Sequence, residues 1–331
     1  MYKFVIGVDI SKFTLDLSLK IADQPEIHHA SFLNKSLGFK HFLEWIKPLV
    51  KELDQLVVCM EHTGYYTHAF SSFLQKKNIT FALINPLQIK RSMGMRRGKT
   101  DKRDSEMIAL YGMRFQEDLK VSKVLDKELL TLQLLLAQRK RLLDIELSLK
   151  RSIKHLKHCL PKNYNGKIVK ENTVLEQKIA KKRISTEEEI LNLIRQAPAM
   201  ERNYKLLLSI PGVGQQTAQY VILYSRNFQR IRDPRKFACY SGVVPFAHQS
   251  GSSIKRAPRV SYYSNKRMKS LLNFAAMGAV KADPELKKYY EKKVAEGKSK
   301  MSVLNAVRNK IVHRIYAVVK RGTPFVSRPA F

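Results

Sequence analysis

The chain has 331 residues, 44% of them apolar, which is enough to bury the core of two modest domains or one large one. Sixty-one Lys and Arg against 28 Asp and Glu leave a formal charge of +33, a self-repelling surplus that calls for a polyanionic partner, nucleic acid before an anionic membrane. No apolar run approaches the roughly 20 residues that span a bilayer, and Asp9 and Lys12 interrupt the N-terminal apolar stretch, so the expectation is a soluble, cytoplasmic chain with no membrane partner. Cys59, Cys159 and Cys239 lie far apart, without zinc-site spacing, as reduced thiols do.

Residues 3–20, KFVIGVDISKFTLDLSLK, read as a hairpin: an apolar run, a short link at Ser11–Lys12, then period-two alternation. HHASFLN (28–34) is a third strand. Residues 36–53 carry helical spacing through Phe39, Phe42, Leu43, Ile46 and Leu49. LVVCME (56–61) is a buried strand, 64–77 a helix and 79–86 another strand. Strands alternating with helices predict an α/β domain with a mixed sheet over residues 1–120.

Beyond 120 the texture becomes helical. Leu125, Leu129, Leu132, Leu136, Leu143 and Leu147 form a stripe that continues on a shifted register through Leu149, Ile153, Leu156 and Leu160. PKNYNG (161–166) breaks it, and Ser185 with Glu188 has the spacing of a capping box opening a second helix. Residues 121–203 are therefore expected to form a coiled-coil arm, either a packed spacer or a dimerisation element. Residues 204–331 read as a mostly helical C-terminal domain with a polar, basic loop at 242–261. Val303, Val307, Ile311, Ile315 and Val318 share one face of its last helix.

The chemistry starts from a contradiction. From Lys90 to Asp104 the chain has seven Lys or Arg and two acids, Asp101 and Asp104, three residues apart on one face of a helix start. Two further acids stand at the mouths of apolar strands, Asp9 in IGVDIS and Glu61 in LVVCME, where a carboxylate is costly unless paired or bound to metal. Acids on a first hairpin strand, at the end of a central strand and on a later helix follow the order of ribonuclease-H/RuvC-like nucleases. There such acids hold two Mg²⁺ about 4 Å apart. The neighbouring Arg96, Arg97, Lys99, Lys102 and Arg103 would hold a nucleic-acid backbone.

Two more stretches suit phosphate. SIPGVGQQTA (209–218) has a helix–hairpin–helix pattern in which Gly212 and Gly214 let backbone approach a phosphate at a helix N-terminus. HQSGSSIKRAPR (248–259) sets Ser250, Ser252 and Ser253 beside Lys255, Arg256 and Arg259, either a flexible phosphate binder or a nucleophile steadied by cations.

Taken in order, IGVDISK, MEHTG, INP, GKTDKRDS, SIPGVGQQTA, FACYSGVVP and HQSGSS resemble the DEDD transposases of the IS110 insertion sequences, bridge-RNA-guided recombinases related to certain site-specific invertases. The resemblance covers nearly the whole chain. It implies an N-terminal RuvC-like domain, a coiled-coil arm and a C-terminal transposase domain. It puts the catalytic acids on Asp9, Glu61, Asp101 and Asp104, holding Mg²⁺, and a nucleophilic serine on Ser250. It implies a phosphoserine-linked DNA intermediate, with acids and serine supplied by different protomers of a homodimer or homotetramer. It also implies a structured non-coding guide RNA pairing with double-stranded target and donor DNA.

The chain departs from that family in places. Tyr262 and Ser264 replace a Lys and a Gly after the serine loop, Lys269 stands where Arg is usual, and VPF ends in Phe246 where TPR is expected. A hydrolytic RuvC-like nuclease or junction resolvase is the alternative reading, and a non-catalytic nucleic-acid binder the third.

Overall fold

The computed structural model describes residues 1–62, 64–94, 100–250 and 254–327. The chain divides into two units, 1–124 and 125–331.

The first unit is built on a five-stranded sheet: β1 (Phe4–Ile10), β2 (Thr14–Ile21), β3 (Ile27–Leu33), β4 (Leu56–Glu61) and β5 (Thr80–Ile84). Their order is β3-β2-β1-β4-β5; β2 runs antiparallel to β1 and β3, while β1, β4 and β5 are parallel. The short link predicted at Ser11–Lys12 is held by the Ser11 hydroxyl, which accepts from Thr14 N at 2.9 Å. Alternation then sorts the side chains onto two faces. Phe4, Ile6, Val8 and Ile10 of β1, with Leu15, Leu17, Leu19 and Ile21 of β2, pack under helices α1 (Ser36–Ile46) and α2 (Tyr66–Lys76) through Phe39, Phe42, Phe70 and Leu74. Helix α1 is shorter than its apolar spacing predicted, because Pro48 cannot continue it.

The opposite face, Val5–Gly7–Asp9 of β1 and Val57–Cys59–Glu61 of β4, lies under α3 (Pro86–Met93) and α4 (Asp101–Arg114), with Ile89, Ile108 and Tyr111 completing its core. Helix α4 crosses this face closely. A Cβ on Gly7 would stand 2.2 Å from both Ala109 N and Ser105 O, and one on Gly112 2.7 Å from Cys59 Sγ. Glycine at both positions is what permits the crossing.

The second unit is mostly helical. Helices α5 (Lys127–Cys159) and α6 (Lys162–Gln196) pack antiparallel as the arm, followed by α7 (Pro198–Leu208), α8 (Gln215–Ser225), α9 (Pro234–Tyr240), α10 (Lys266–Ala282), α11 (Pro284–Ala295) and α12 (Lys300–Arg321). Three expectations are corrected here. The second arm helix begins at Lys162, not after Ser185, which lies inside it; Asn165 donates to Leu156 O and Leu160 O and closes the bend across Leu160–Pro161. The leucine stripe holds through Leu136 and then shifts: Leu142 and Glu146 are buried, while Leu147 is exposed. Residues 242–261 are not simply a loop, since β6 (Pro245–Ser250) and β7 (Ile254–Val260) pair as an antiparallel hairpin. The predicted face of the last helix, Val303 to Val318, is buried in the core of this unit. Among the described residues no helix is long and apolar enough to cross a membrane.

Candidate active site

The parallel strands β1 and β4 end side by side, and each ends in an acid on the α4 face. Asp9 is the last α4-facing residue of β1, and Glu61 closes β4. Helix α4 begins above them. Thr100 caps it by accepting from Arg103 N at 3.3 Å, which places Asp101 and Asp104 in the first turn, where the helix dipole favours negative charge. The close crossing at Gly7 brings this turn down to the strand ends.

The result registers on Asp9. Burial pushes its carboxyl up to about 6, and repulsion from Asp104, Asp101, Glu61 and Asp16 adds to the rise. The other three acids read from the sequence are thus within electrostatic reach of Asp9. Ligand-type side chains do not close into a ready cage among the described residues. The donor set is nonetheless carboxylate oxygens, and its mutual repulsion is what a divalent cation would relieve.

Asp16 was not among the expected acids. It sits directly opposite Asp9 in the β1–β2 register, where like charges destabilise a strand pair. Its partner is His29 of β3, with Nε2 3.9 Å from Asp16 Oδ1. His29 Nδ1 lies 3.4 Å from the Ser18 hydroxyl, which stands 2.7 Å from the Ser105 hydroxyl of α4, both serines fully buried. Ser105 in turn donates to Lys102 O at 2.8 Å. A polar chain therefore runs from β3 through β2 into the turn that carries Asp101 and Asp104. The tight Ser11–Lys12 link was the sequence signal, since it fixes which residue of the second strand faces Asp9.

Of the basic residues expected to hold a backbone, Lys102 and Arg103 are exposed on that first turn. Arg96, Arg97 and Lys99 lie outside the described residues. In the second unit Ser250 is the last residue of β6, paired with Ile254 at the far end of the hairpin. Lys255 and Arg256 follow on β7 opposite Gln249 and His248, and Arg259 is exposed near the hairpin base. Ser252 and Ser253 lie outside the described residues.

At the turn between α7 and α8, read from the sequence as a helix–hairpin–helix, Gly212 has a packing reason to be glycine. Its φ is +85°, and a Cβ would meet Ala275 O of α10 at 2.2 Å. Gly214 is different: it caps α8, and nothing lies within 4 Å of where its Cβ would be.

Comparison with known proteins converges on the same family. A sequence profile of DEDD transposases of the IS110 type matches residues 6–161, and one described as transposase IS116/IS110/IS902 family matches 204–291; together they span well over half of the chain. The chain is 26% identical over 332 aligned residues, 99% of each chain, to a pilin gene-inverting protein of Moraxella bovis. Its Moraxella lacunata counterpart gives the same identity and coverage. An insertion element IS110 protein of Streptomyces coelicolor is 29% identical over 125 residues, 37% of this chain and 30% of that one. The chain belongs to the IS110 family and is a DNA transposase or recombinase.

Proposed function

We propose that this enzyme cuts and rejoins DNA through a serine-linked intermediate, using Asp9, Glu61, Asp101 and Asp104 of a RuvC-like domain together with Ser250. The observation that carries the proposal is the raised, crowded Asp9 carboxyl, with the other three acids as its neighbours. Acids crowded together in a chain of charge +33 have a use beyond folding.

The four carboxylates would hold Mg²⁺, two ions in the ordinary case. Bound there, the metal supplies Lewis acidity and charge neutralisation at a phosphate. The rest belongs to the protein. Ser250 loses its proton and its Oγ attacks phosphorus. A serine–phosphate ester forms, the P–O3′ bond breaks, and the 3′ oxygen takes up a proton. Attack by the 3′ hydroxyl of a second strand reverses these steps and releases the serine. Lys102 and Arg103, exposed on the first turn of α4, would meet the backbone near the acids, and exposed Arg259 would meet it near the serine hairpin. The family resemblance supports a guide RNA that selects target and donor duplexes, and a homodimer or homotetramer that brings acids and serine together. The charge of +33 suits a protein holding several nucleic-acid strands. The pilin gene-inverting relatives favour inversion of a DNA segment as one outcome of the same chemistry.

The test is a suicide DNA substrate with Mg²⁺ and RNA transcribed from the flank of the gene. A protein–DNA adduct on a denaturing gel is expected from the native chain, and it should fall at least about a thousandfold in Ser250→Ala and in Asp101→Ala. Cleavage that survives Ser250→Ala without an adduct would replace the proposal with hydrolysis.

A further inference from the structure

The turn between β7 and α10 reads SYYSN, residues 261–265, and it is built as a rigid mount. The Ser261 hydroxyl accepts from Tyr263 N at 3.3 Å, and the Ser264 hydroxyl donates to Ser261 O at 2.9 Å. Asn265 caps α10 by accepting from Met268 N at 2.8 Å, and its own N–H and side-chain amide donate to Tyr240 O and Tyr240 Oη, each at 2.8 Å. Ser264 is seated on Gly242, whose φ is +66° and whose Cβ, if present, would stand 2.2 Å from Ser264 Oγ.

On this mount Tyr262 is 75% and Tyr263 56% exposed, their rings 5.9 Å apart and nearly perpendicular. Lys266 holds its ammonium 4.2 Å from the centre of the Tyr262 ring. From Lys266 an exposed stripe continues down α10 at helical spacing: Ser270, Phe274 (66% exposed) and Met277. Phe274 forms one wall of an open groove of about 370 Å³ whose other wall includes Gly214 and Thr217 at the start of α8. A single exposed aromatic needs no explanation. Two rigidly held at the head of α10, with a third about 12 Å farther down the same helix and beside a helix N-terminus, do.

We propose that Tyr262, Tyr263 and Phe274 form a stacking track for unpaired bases of the DNA strand being exchanged, with the amides at the start of α8 and Lys266 meeting its phosphates. Aromatic faces take any base, and cations beside them track the backbone, which is how strands are held without reading sequence. The net charge of +33 sets the sign of the partner. The inference rests on the family's DNA substrate and not on the serine chemistry. It is also particular to this chain, since Tyr262 stands where relatives are expected to carry Lys.

The experiment is fluorescence anisotropy with a short labelled oligodeoxythymidylate, a duplex of equal length and an oligouridylate, all in EDTA so that cleavage plays no part. Tyr262→Ala and Phe274→Ala should each weaken single-strand binding by about tenfold while Tyr262→Phe retains it, with duplex binding and the salt dependence unchanged. Both positions are exposed, so the variants should melt with the native chain, and Tyr263→Ala serves as a third probe. Native-like binding by all the alanine variants, or an equal loss on duplex, would overturn the track. A loss confined to oligouridylate would overturn its assignment to DNA.

Discussion

In the arm, Glu146 is buried and its carboxylate accepts from Lys150 and Arg183 at 2.7 Å each; Arg183 also bonds Glu187, which Arg139 meets at 2.7 Å. Hydrogen bonds from Lys150 and Arg183 hold the Glu146 carboxyl below the usual range. In the first unit Asp9 also lies among apolar strands, yet burial and its acidic neighbours push it up to about 6. Buried Glu146 accepts from two cations, whereas half-buried Asp9 meets like charge. The buried acid of the arm is matched within the arm and serves to set the register of two helices. At the strand ends of the sheet the neighbouring acids instead crowd Asp9 with like charge, which a bound cation would relieve.

Three substitutions sharpen or break this contrast. Glu146→Ala should cost the most, about 3 kcal/mol, because it leaves the largely covered Arg183 with half of its partners. Far-UV circular dichroism follows it, since helix dominates that unit. A loss below about 0.5 kcal/mol would mean the arm network is only a surface pattern. Gly7→Ala should cost about 2–3 kcal/mol, because the new methyl meets backbone of α4 that cannot yield without moving the helix. Fluorescence of Trp45, the sole tryptophan, reports on that unit. Native stability would mean that α4 crosses β1 at a greater distance than the 2.2 Å approach to a Cβ at Gly7 allows.

Asp9→Asn should do the opposite and stabilise the metal-free chain at pH 7, by on the order of 1 kcal/mol after solvent screening. The sign follows from the direction of the shift. A carboxyl raised in the folded state binds protons there more tightly than in the unfolded chain. The native chain therefore loses stability as pH rises from near 4 to about 6 and regains it on acidification. The benefit of Asn should vanish near pH 4. If Asp9→Asn destabilises equally at both pH values, the acids are not in conflict.

Much of this was legible in the sequence, for identifiable reasons. Period-two alternation and a two-residue link specify the β1–β2 hairpin, and an acid ending an apolar strand is conspicuous at Asp9 and Glu61. Asp16 is hidden for the same reason: in FTLDLSL it reads as the polar half of an alternation, and only the antiparallel register turns it toward Asp9. Ser185 and Glu188 have capping-box spacing, yet a long Lys- and Glu-rich run with good helix propensity carries α6 straight through them. The β6–β7 hairpin lacks apolar alternation, because its pairing partners include His248, Gln249, Lys255 and Arg256, so composition made it a loop.

The three thiols turn out to be chemically distinct. Cys59 is buried beneath α4 and its thiol is pushed up to about 12, which removes it from alkylation at neutral pH. Cys159 is exposed at the last residue of α5, beside the bend of the arm, and Cys239 lies between these extremes. A maleimide dye on a Cys239→Ser background would therefore mark the arm's tip alone. Mixing donor- and acceptor-labelled chains would then turn the native sequence into a ruler for how far apart two arm tips sit as a complex assembles on DNA.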